Sequence, residues 1–402
     1  MPNTFITNKL ATAVAIRAAE AAGYLTVGSK KYFAGQLADK NNGQTYAFYI
    51  RDTGDAVNRL EVEDGDKTTL TERKVELSLD PWHIFLSVNA IEKVTDIEDW
   101  EDEIAIVQGV KLVQGAVRKV INNDLGKCGA AFIGSGFTPL SQAIGHLGSV
   151  VSDELYGFSD PNTESILTSN GQQYVPVDAP DMYSKGLLGK FHECEMRSQR
   201  FFPVVSVSAA LATAINAGKV TGAAASDESG VWNMTVSGFT AGIKIPKGFP
   251  LFIDGVKACD TVGDATSMDQ AFVVLESVTT TGATAVVKVR AKDLVKGGTR
   301  EICTEDGDSF AAAANVTGNT YGPEAGKYFM TQVRARGAME FETLDKIAAE
   351  GAEYEKSPNV ENMIVHQNQL VDLKKMTNDV RWDIVTLAGI VDGRAVALAY
   401  CK

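Results

Sequence analysis

Residues 74–126 read KVELSLDPWHIFLSVNAIEKVTDIEDWEDEIAIVQGVKLVQGAVRKVINNDLG, and their patterning decides the fold. Val75, Leu77 and Leu79 alternate with Lys74, Glu76 and Ser78, the period-two spacing of a strand that buries one face. The apolar run Ile84-Phe85-Leu86 continues it beyond Asp80-Pro81. Thr95 and Glu98 then predict a capping box, in which each side chain accepts a hydrogen bond from the other residue's free backbone N–H. Asp96, Glu98, Asp99, Glu101, Asp102 and Glu103 crowd the first turns, while Arg118 and Lys119 sit near the far end, the polarity a helix macrodipole favours. Ile97, Trp100, Ile104, Val107, Val110, Val113, Val117 and Val120 predict one continuous apolar stripe. Gly126 is the expected C-terminal cap. A helix of about thirty residues spans roughly 45 Å at about 1.5 Å per residue. One strut of that length beside an extended hairpin suggests a molecule shaped to reach its neighbours.

The chain has 402 residues, of which 45% are hydrophobic and 22% charged, an ordinary globular composition. That length provides for about two or three domains. A net charge of −13 argues against a sequence-specific nucleic-acid binder, which usually carries a basic face. The same charge leaves room for proximity to packaged nucleic acid, since mutual repulsion would prevent sticking. Cys128, Cys194, Cys259, Cys303 and Cys401 are scattered with no C-x-x-C pair, predicting reduced, buried thiols in a cytosolic compartment. His83, His146, His192 and His366 are equally dispersed. His192 and Cys194 lack a second ligand pair, so no metal site is expected. Met1-Pro2-Asn3-Thr4 does not begin a basic and then apolar leader, so no signal peptide is expected. No apolar run reaches the length of a membrane span.

Residues 7–22 are alanine-rich and helix-favouring, ending at Gly23. Alanine buries little surface, so this helix needs something to lie on, either as a reaching arm or as an ordinary first helix. Gln44 to Ile50 reads as a strand, Asp52-Thr53-Gly54-Asp55 as a turn, Glu61 to Asp66 as an acidic loop, and Lys67 to Leu79 as the returning strand. A two-stranded ribbon is marginal alone in water, so this one is expected to pack on another surface, a second subunit included. Thr138-Pro139 starts a helix reaching about Gly157, and Asp160-Pro161-Asn162-Thr163 is a break that can cap a short helix. From Lys219 to Asn319 the chain is rich in Val, Thr, Gly and Ala, with short strands between Gly and Asp turns, the signature of an inserted all-β barrel or sandwich. A helix near Phe341–Gly351, a strand at Asn362–His366 and strands through Arg381–Cys401 complete the α+β pattern.

Motifs for chemistry fail one by one. Ile133-Gly134-Ser135-Gly136-Phe137 resembles a nucleophile elbow but has Ile133 and Phe137 where glycines belong. Gly186-Leu-Leu-Gly189-Lys190-Phe191 lacks the length and the Ser/Thr of a phosphate-binding loop. Glu63-Asp64-Gly65-Asp66 and Glu305-Asp306-Gly307-Asp308 lack the alternating oxygen ligands and closing glutamate of a calcium loop. The carboxylates at 96–103 could pair for acid–base work, but at that density they read as a solvated helix start. Trp100 fits the apolar stripe, with a subunit contact as the other reading. No catalytic, cofactor-binding or metal-binding residues are expected.

In this order, the ribbon, the long helix, the segment Gly186-Leu-Leu-Gly-Lys-Phe-His-Glu-Cys-Glu-Met-Arg-Ser-Gln-Arg-Phe-Phe-Pro-Val-Val and the closing Val380-Arg-Trp-Asp-Ile-Val-Thr-Leu-Ala-Gly-Ile-Val-Asp-Gly-Arg-Ala-Val396 resemble the major capsid protein of tailed bacteriophages. The resemblance is to the HK97-type capsid fold of short-tailed phages, with Val236–Arg290 similar to that family's inserted domain. It implies an N-terminal arm at 1–40, an E-loop hairpin at 41–80, a P-domain with its spine helix at 81–128 and an A-domain at 129–218. An inserted β-barrel would follow at 219–319, an A-domain return at 320–365 and P-domain C-terminal strands at 366–402. The acidic loop that projects from the insertion in relatives has no clear counterpart here. Some relatives cross-link their hairpins; Lys67 and Lys74 lie in this one, with nothing else to support a cross-link.

The expected function is a self-assembling, non-enzymatic subunit of an icosahedral head that encloses double-stranded DNA. Its partners would be further copies in hexamers and pentamers, a scaffolding protein and a portal, with no membrane. Its location would be the virion, after assembly in the host cytoplasm. The rivals are an encapsulin-like compartment and a two-domain hydrolase with a β-type binding domain.

Overall fold

The computed structural model describes residues 4–28, 45–51, 72–89, 100–150, 154–163, 165–166, 190–192, 194–226, 231–259, 265–290, 302–304, 318–344, 353–372 and 377–402. The chain opens with α1 (Thr4–Ala21), then strands β1 (Thr45–Arg51), β2 (Glu72–Ser78) and β3 (Asp80–Asn89), and helix α2 (Trp100–Asp124). β4 (Ala130–Gly134), α3 (Thr138–Val150), β5 (Leu155–Ser159), β6 (Lys190–Phe191), β7 (Cys194–Ser198), β8 (Val204–Val207) and α4 (Ala209–Asn216) follow. Next come β9 (Lys219–Ala225), β10 (Val231–Ser237), β11 (Lys244–Ile245), β12 (Pro250–Cys259), β13 (Ala265–Val273), β14 (Val278–Thr279) and β15 (Thr284–Arg290). The last strands are β16 (Ile302–Thr304), β17 (Gly318–Tyr321), β18 (Gly326–Ala335), β19 (Met339–Thr343), β20 (Glu353–Lys356), β21 (His366–Asp372), β22 (Thr377–Ile390) and β23 (Val396–Cys401). They divide into two compact units. One comprises Met1–Ala47, Glu76–Ile121 and Met339–Gly389; the other comprises Phe48–Val75, Asn122–Ala338 and Ile390–Lys402.

The first unit is built on a five-stranded sheet in which β22 pairs with β19, β21 and β3, and β20 pairs with β21. The register sets Trp82 opposite Ile384, Ile84 opposite Trp382 and Leu86 opposite Val380, which gathers the large side chains on one face. Trp382 is 1% exposed and its indole N–H donates to Gln367 Oε1 at 2.9 Å. α2 rests on this face through glycine. A Cβ at Gly115 would stand 2.4 Å from the Trp82 ring, and one at Gly109 would stand 2.7 Å from the Val14 carbonyl of α1.

The alanines explain themselves here. Ala11, Ala15, Ala18, Ala19 and Ala22 are buried, and their small side chains let α1 lie against neighbouring backbone. Over its described residues α1 is packed along this alanine face. The same close approach corrects the expected stripe on α2. Val107 is 45% exposed, and the buried face runs through Gly109, Leu112, Val113, Ala116, Val117, Val120 and Ile121. Counting only large apolar residues overlooks the glycines on which neighbours seat. Thr95 and Glu98 lie outside the described residues. Gly126 is not left-handed and is not a cap of that kind; a Cβ there would stand 2.7 Å from Arg290 Cβ.

Three expected elements change type. Leu155–Ser159 is a strand between β18 and β7, not the tail of a helix, and α3 ends at Val150. Phe341 lies in strand β19, not in a helix. Asn362 belongs to a two-residue turn between Val360 and Met363, which exchange both backbone hydrogen bonds at 2.9 and 2.8 Å. Glu361 and Asn362 both have positive φ, 47° and 70°, as a mirror-image hairpin turn requires.

In the second unit β23 lies between β4, to which it is parallel, and β18, to which it is antiparallel. All six of its residues, Val396–Cys401, are buried, so the run carries no polar alternation. α3 covers this part of the sheet, and β5 and β7 extend it on the far side of β18. The strands from 219 onward form a ring of hydrogen bonds in the order β9-β17-β12-β13, then β15-β10 and back to β9. The ring closes where Val274 bridges Val289 and the Leu275 N–H donates to Lys288 O at 2.9 Å. Its inward residues include Met234, Val236, Ala285, Val287 and Val289, all buried. It joins the larger sheet at one pair, Gln270 with Ala130, where Gln270 Nε2 donates to Cys128 O at 3.0 Å.

Candidate functional site

The turn at Gly134–Gly136 leaves β4 and enters α3, with Gly136 at φ 63° and Ser135 exposed. No hydrogen bond joins Ser135 to a histidine among the described residues. His146 is buried against Phe132, ring centroids 5.8 Å apart, and its Nε2 has no hydrogen-bond partner there. Burial lowers its pKa, so the imidazole sits neutral in the core. Phe137, at the end of the same turn, stacks on Phe191 at 5.1 Å. The structure thus brings together the ends of two segments that the sequence singled out separately, and does so through apolar rings.

His192 is exposed at φ 46° with its ring edge-on to Phe191, whereas Cys194 is fully buried in β7. Burial, with Glu195 second, pushes the Cys194 thiol up to about 12. Cys128 and Cys401 are raised to about 12 by burial as well. These are inert thiols. Among the described residues no three His, Cys, Asp or Glu side chains gather as a metal set. Glu63–Asp66, Asp96–Asp99, Lys67, Gly186–Gly189 and Glu305–Asp308 lie outside the described residues. Trp100 and Glu101–Glu103 form the first turn of α2, and Lys74 lies in β2.

The polar clusters that are present hold chain to chain. Asp124, at the last turn of α2, accepts from Lys127 Nζ at 2.9 Å and from the Ile390 N–H at 2.9 Å, while Lys127 donates to Ile390 O at 3.1 Å. Asp392 accepts a two-pronged contact from buried Arg394, at 3.0 Å to each oxygen. The sequence signal for the first was an Asp and a Lys three apart at a helix end, easily read as solvated charge. In the first unit His366 is held between the Tyr354 hydroxyl and Leu344 O, each at 2.8 Å. A cleft of about 410 Å³ beside it is lined by Glu342, Thr343, Lys356, Ser357, Asn359 and Asn362. Thr343 and Ser357 accept the backbone N–H groups of Ile364 and Val365 at 2.9 and 3.0 Å.

The β1–β2 ribbon pairs with no other described strand. On the outer face of the five-stranded sheet Phe85 is 60% and Leu370 56% exposed.

No family model matches the sequence, and no curated protein matches it. Solved structures similar to the chain include the head of Helicobacter pylori bacteriophage KHP40, at 8% identity and TM-score 0.43, over 90% of this chain and 85% of that one. The capsid of the cyanophage P-SCSP1u is similar at 8% identity and TM-score 0.42, over 90% and 84%. A virus-like particle from Pyrococcus furiosus is similar at 7% identity and TM-score 0.37, over 97% of each chain. These are loose likenesses at very low identity.

Proposed function

We propose that this chain is the repeating subunit of a closed protein shell, the major capsid protein that forms the head of a tailed bacteriophage. The observation that carries the reading is the order of elements. A two-stranded ribbon with no other described strand to pair with runs through one strand of a five-stranded sheet towards a 25-residue helix. A ribbon of that kind is marginal in water by itself and gains stability from a neighbour. Repeated over many copies, individually weak contacts add through multivalency.

In this reading residues 1–40 are the N-terminal arm, 41–80 the E-loop hairpin and 81–128 the P-domain with its spine helix. Residues 129–218 and 320–338, with the closing strand β23, are the A-domain, and 339–389 return to the P-domain. Residues 219–319, which carry the ring of strands except the end of β17, are the inserted barrel of an HK97-type subunit. The subunit performs no catalytic step. Copies gather as hexamers and pentamers with a scaffolding protein and a portal, are assembled in the host cytoplasm and end in the virion. The net charge of −13 lets DNA fill the interior without adhering.

The test is expression of the chain alone and with its scaffolding protein, followed by negative-stain microscopy. Shells or capsomers support the reading; a strictly monomeric species under both conditions sinks it.

A further inference from the structure

We propose that the exposed line Lys111, Gln114 and Arg118 on α2 contacts the phosphate backbone of the double-stranded DNA that the shell encloses. The site rests on the shell reading, which supplies the ligand. Leu112, Val113, Ala116 and Val117 form the buried side of α2, whereas Lys111, Gln114 and Arg118 are exposed. Their spacing of three and then four residues sets them one above another on the helix surface. From Val107 to Asn123 the chain carries Lys111, Arg118 and Lys119 and no Asp or Glu. In a chain with 51 acidic and 38 basic residues, this face is locally cationic.

Lys119 is engaged by Asp80 and is left out of the site. On α1, which seats at Gly109, Arg17 and Glu20 pair with each other at 2.9 Å and add no net charge.

Duplex DNA offers one negative charge per about 1.7 Å of its axis, and its phosphates take hydrogen bonds from Lys, Arg and Gln side chains alike. Lys111 and Arg118 lie about 10.5 Å apart along the helix, at about 1.5 Å per residue. That is about three phosphate steps of one strand, at about 3.4 Å each. Such contacts fix position and read no sequence. A protein partner fits less well, because interfaces between proteins are anchored by buried aromatic and apolar side chains, and this line has none. A few donors per copy would hold the outermost duplex, while the net charge of −13 keeps DNA from adhering generally.

The experiment places a photo-reactive benzoylphenylalanine at position 114 of the full chain in DNA-filled heads, and compares it with the same probe at position 85. Irradiation is expected to link the chain to DNA from position 114 and not from position 85. Normal filled heads that give no DNA link from 114, or equal links from both positions, overturn the site, and the shell reading then stands. Failure of the parent chain to form any particle overturns the shell reading and this site with it. In a second arm the full chain is titrated with a short duplex of random sequence and, separately, with polyglutamate of matched charge. Lys111→Gln with Arg118→Gln is expected to lower the slope of log affinity against log salt by about 0.9 for each cation removed. Lys219→Gln with Lys244→Gln, which removes the same charge from exposed positions on other strands, should leave the slope unchanged. Equal slopes for the two double variants overturn the site. So does equal binding of polyglutamate, which would assign the line to an acidic peptide.

Discussion

The carboxylate of Asp124 accepts the backbone N–H of Ile390 at 2.9 Å across 266 residues of sequence. Asp124 is 2% exposed and also holds Lys127, so the end of the long helix and the end of the long strand are fixed to each other inside one unit. Removing the carboxylate leaves a buried N–H without its acceptor, a loss of about 1–3 kcal/mol. Asp124→Ala is therefore expected to lower stability by roughly 2 kcal/mol in urea unfolding, with Lys127→Met, whose ammonium is partly in solvent, costing less.

Two kinds of glycine should respond in opposite directions. At Gly109 an added methyl meets the Val14 carbonyl, which is backbone and cannot swing aside, so Gly109→Ala destabilises the α1–α2 contact. At Gly145 on α3 nothing lies within 4 Å, and Gly145→Ala should stabilise by about 1 kcal/mol through helix propensity. Thermal melts of the two variants check this. A stabilised Gly109→Ala would contradict the close packing of α1 on α2.

Trp382 is the largest fully buried side chain among the described residues and stands opposite Ile84 in the five-stranded sheet. Truncation to Ala should cost about 3–5 kcal/mol, while Phe, which loses the hydrogen bond to Gln367 but keeps most of the volume, should cost less. Equal losses for the two would mean that the hydrogen bond, not the volume, sets the site.

His146 makes stability depend on pH. Burial lowers its folded-state pKa below the ordinary 6.5, so the unfolded chain binds the proton more readily. The contribution is present above about 6.5 and is lost as pH falls through the folded value. Urea midpoints measured between neutral pH and mild acid should fall for the parent and fall less for His146→Phe.

Cys128, Cys194 and Cys401, each raised to about 12, should resist iodoacetamide in the native protein and react on unfolding. Mass spectrometry of quenched samples reads this directly. Rapid native alkylation of any of the three would contradict its burial.

The fold was most legible where periodicity and turn chemistry agree. Alternation in Lys74–Leu79 and the helical spacing through Val120 gave the right element types, and the Val-, Thr- and Gly-rich stretch from 219 gave short strands. What the pattern could not carry was contact made by small residues. Gly109 and Gly115 have no hydropathy to count, yet they turn the buried face of α2 away from Val107. Leu155–Ser159 and Phe341 read as helical because each short apolar run fits either period; pairing with β18 and β7, or with β22, decides them, and those partners are distant in sequence. The C-terminal run read as one group of strands, but the 3-10 turn at Gly393–Ala395 sends β23 to β4 and β18 instead of the sheet of β22. No catalytic motif was visible, and the polar clusters the fold assembles, such as Asp124 with Lys127 and Ile390, tie the chain together.

The most direct test of the central claim is cryo-electron microscopy of the purified chain assembled with its scaffolding protein. The shell reading predicts closed icosahedral particles in which this chain is the repeating subunit. A homogeneous monomer at every concentration and scaffold ratio would contradict it.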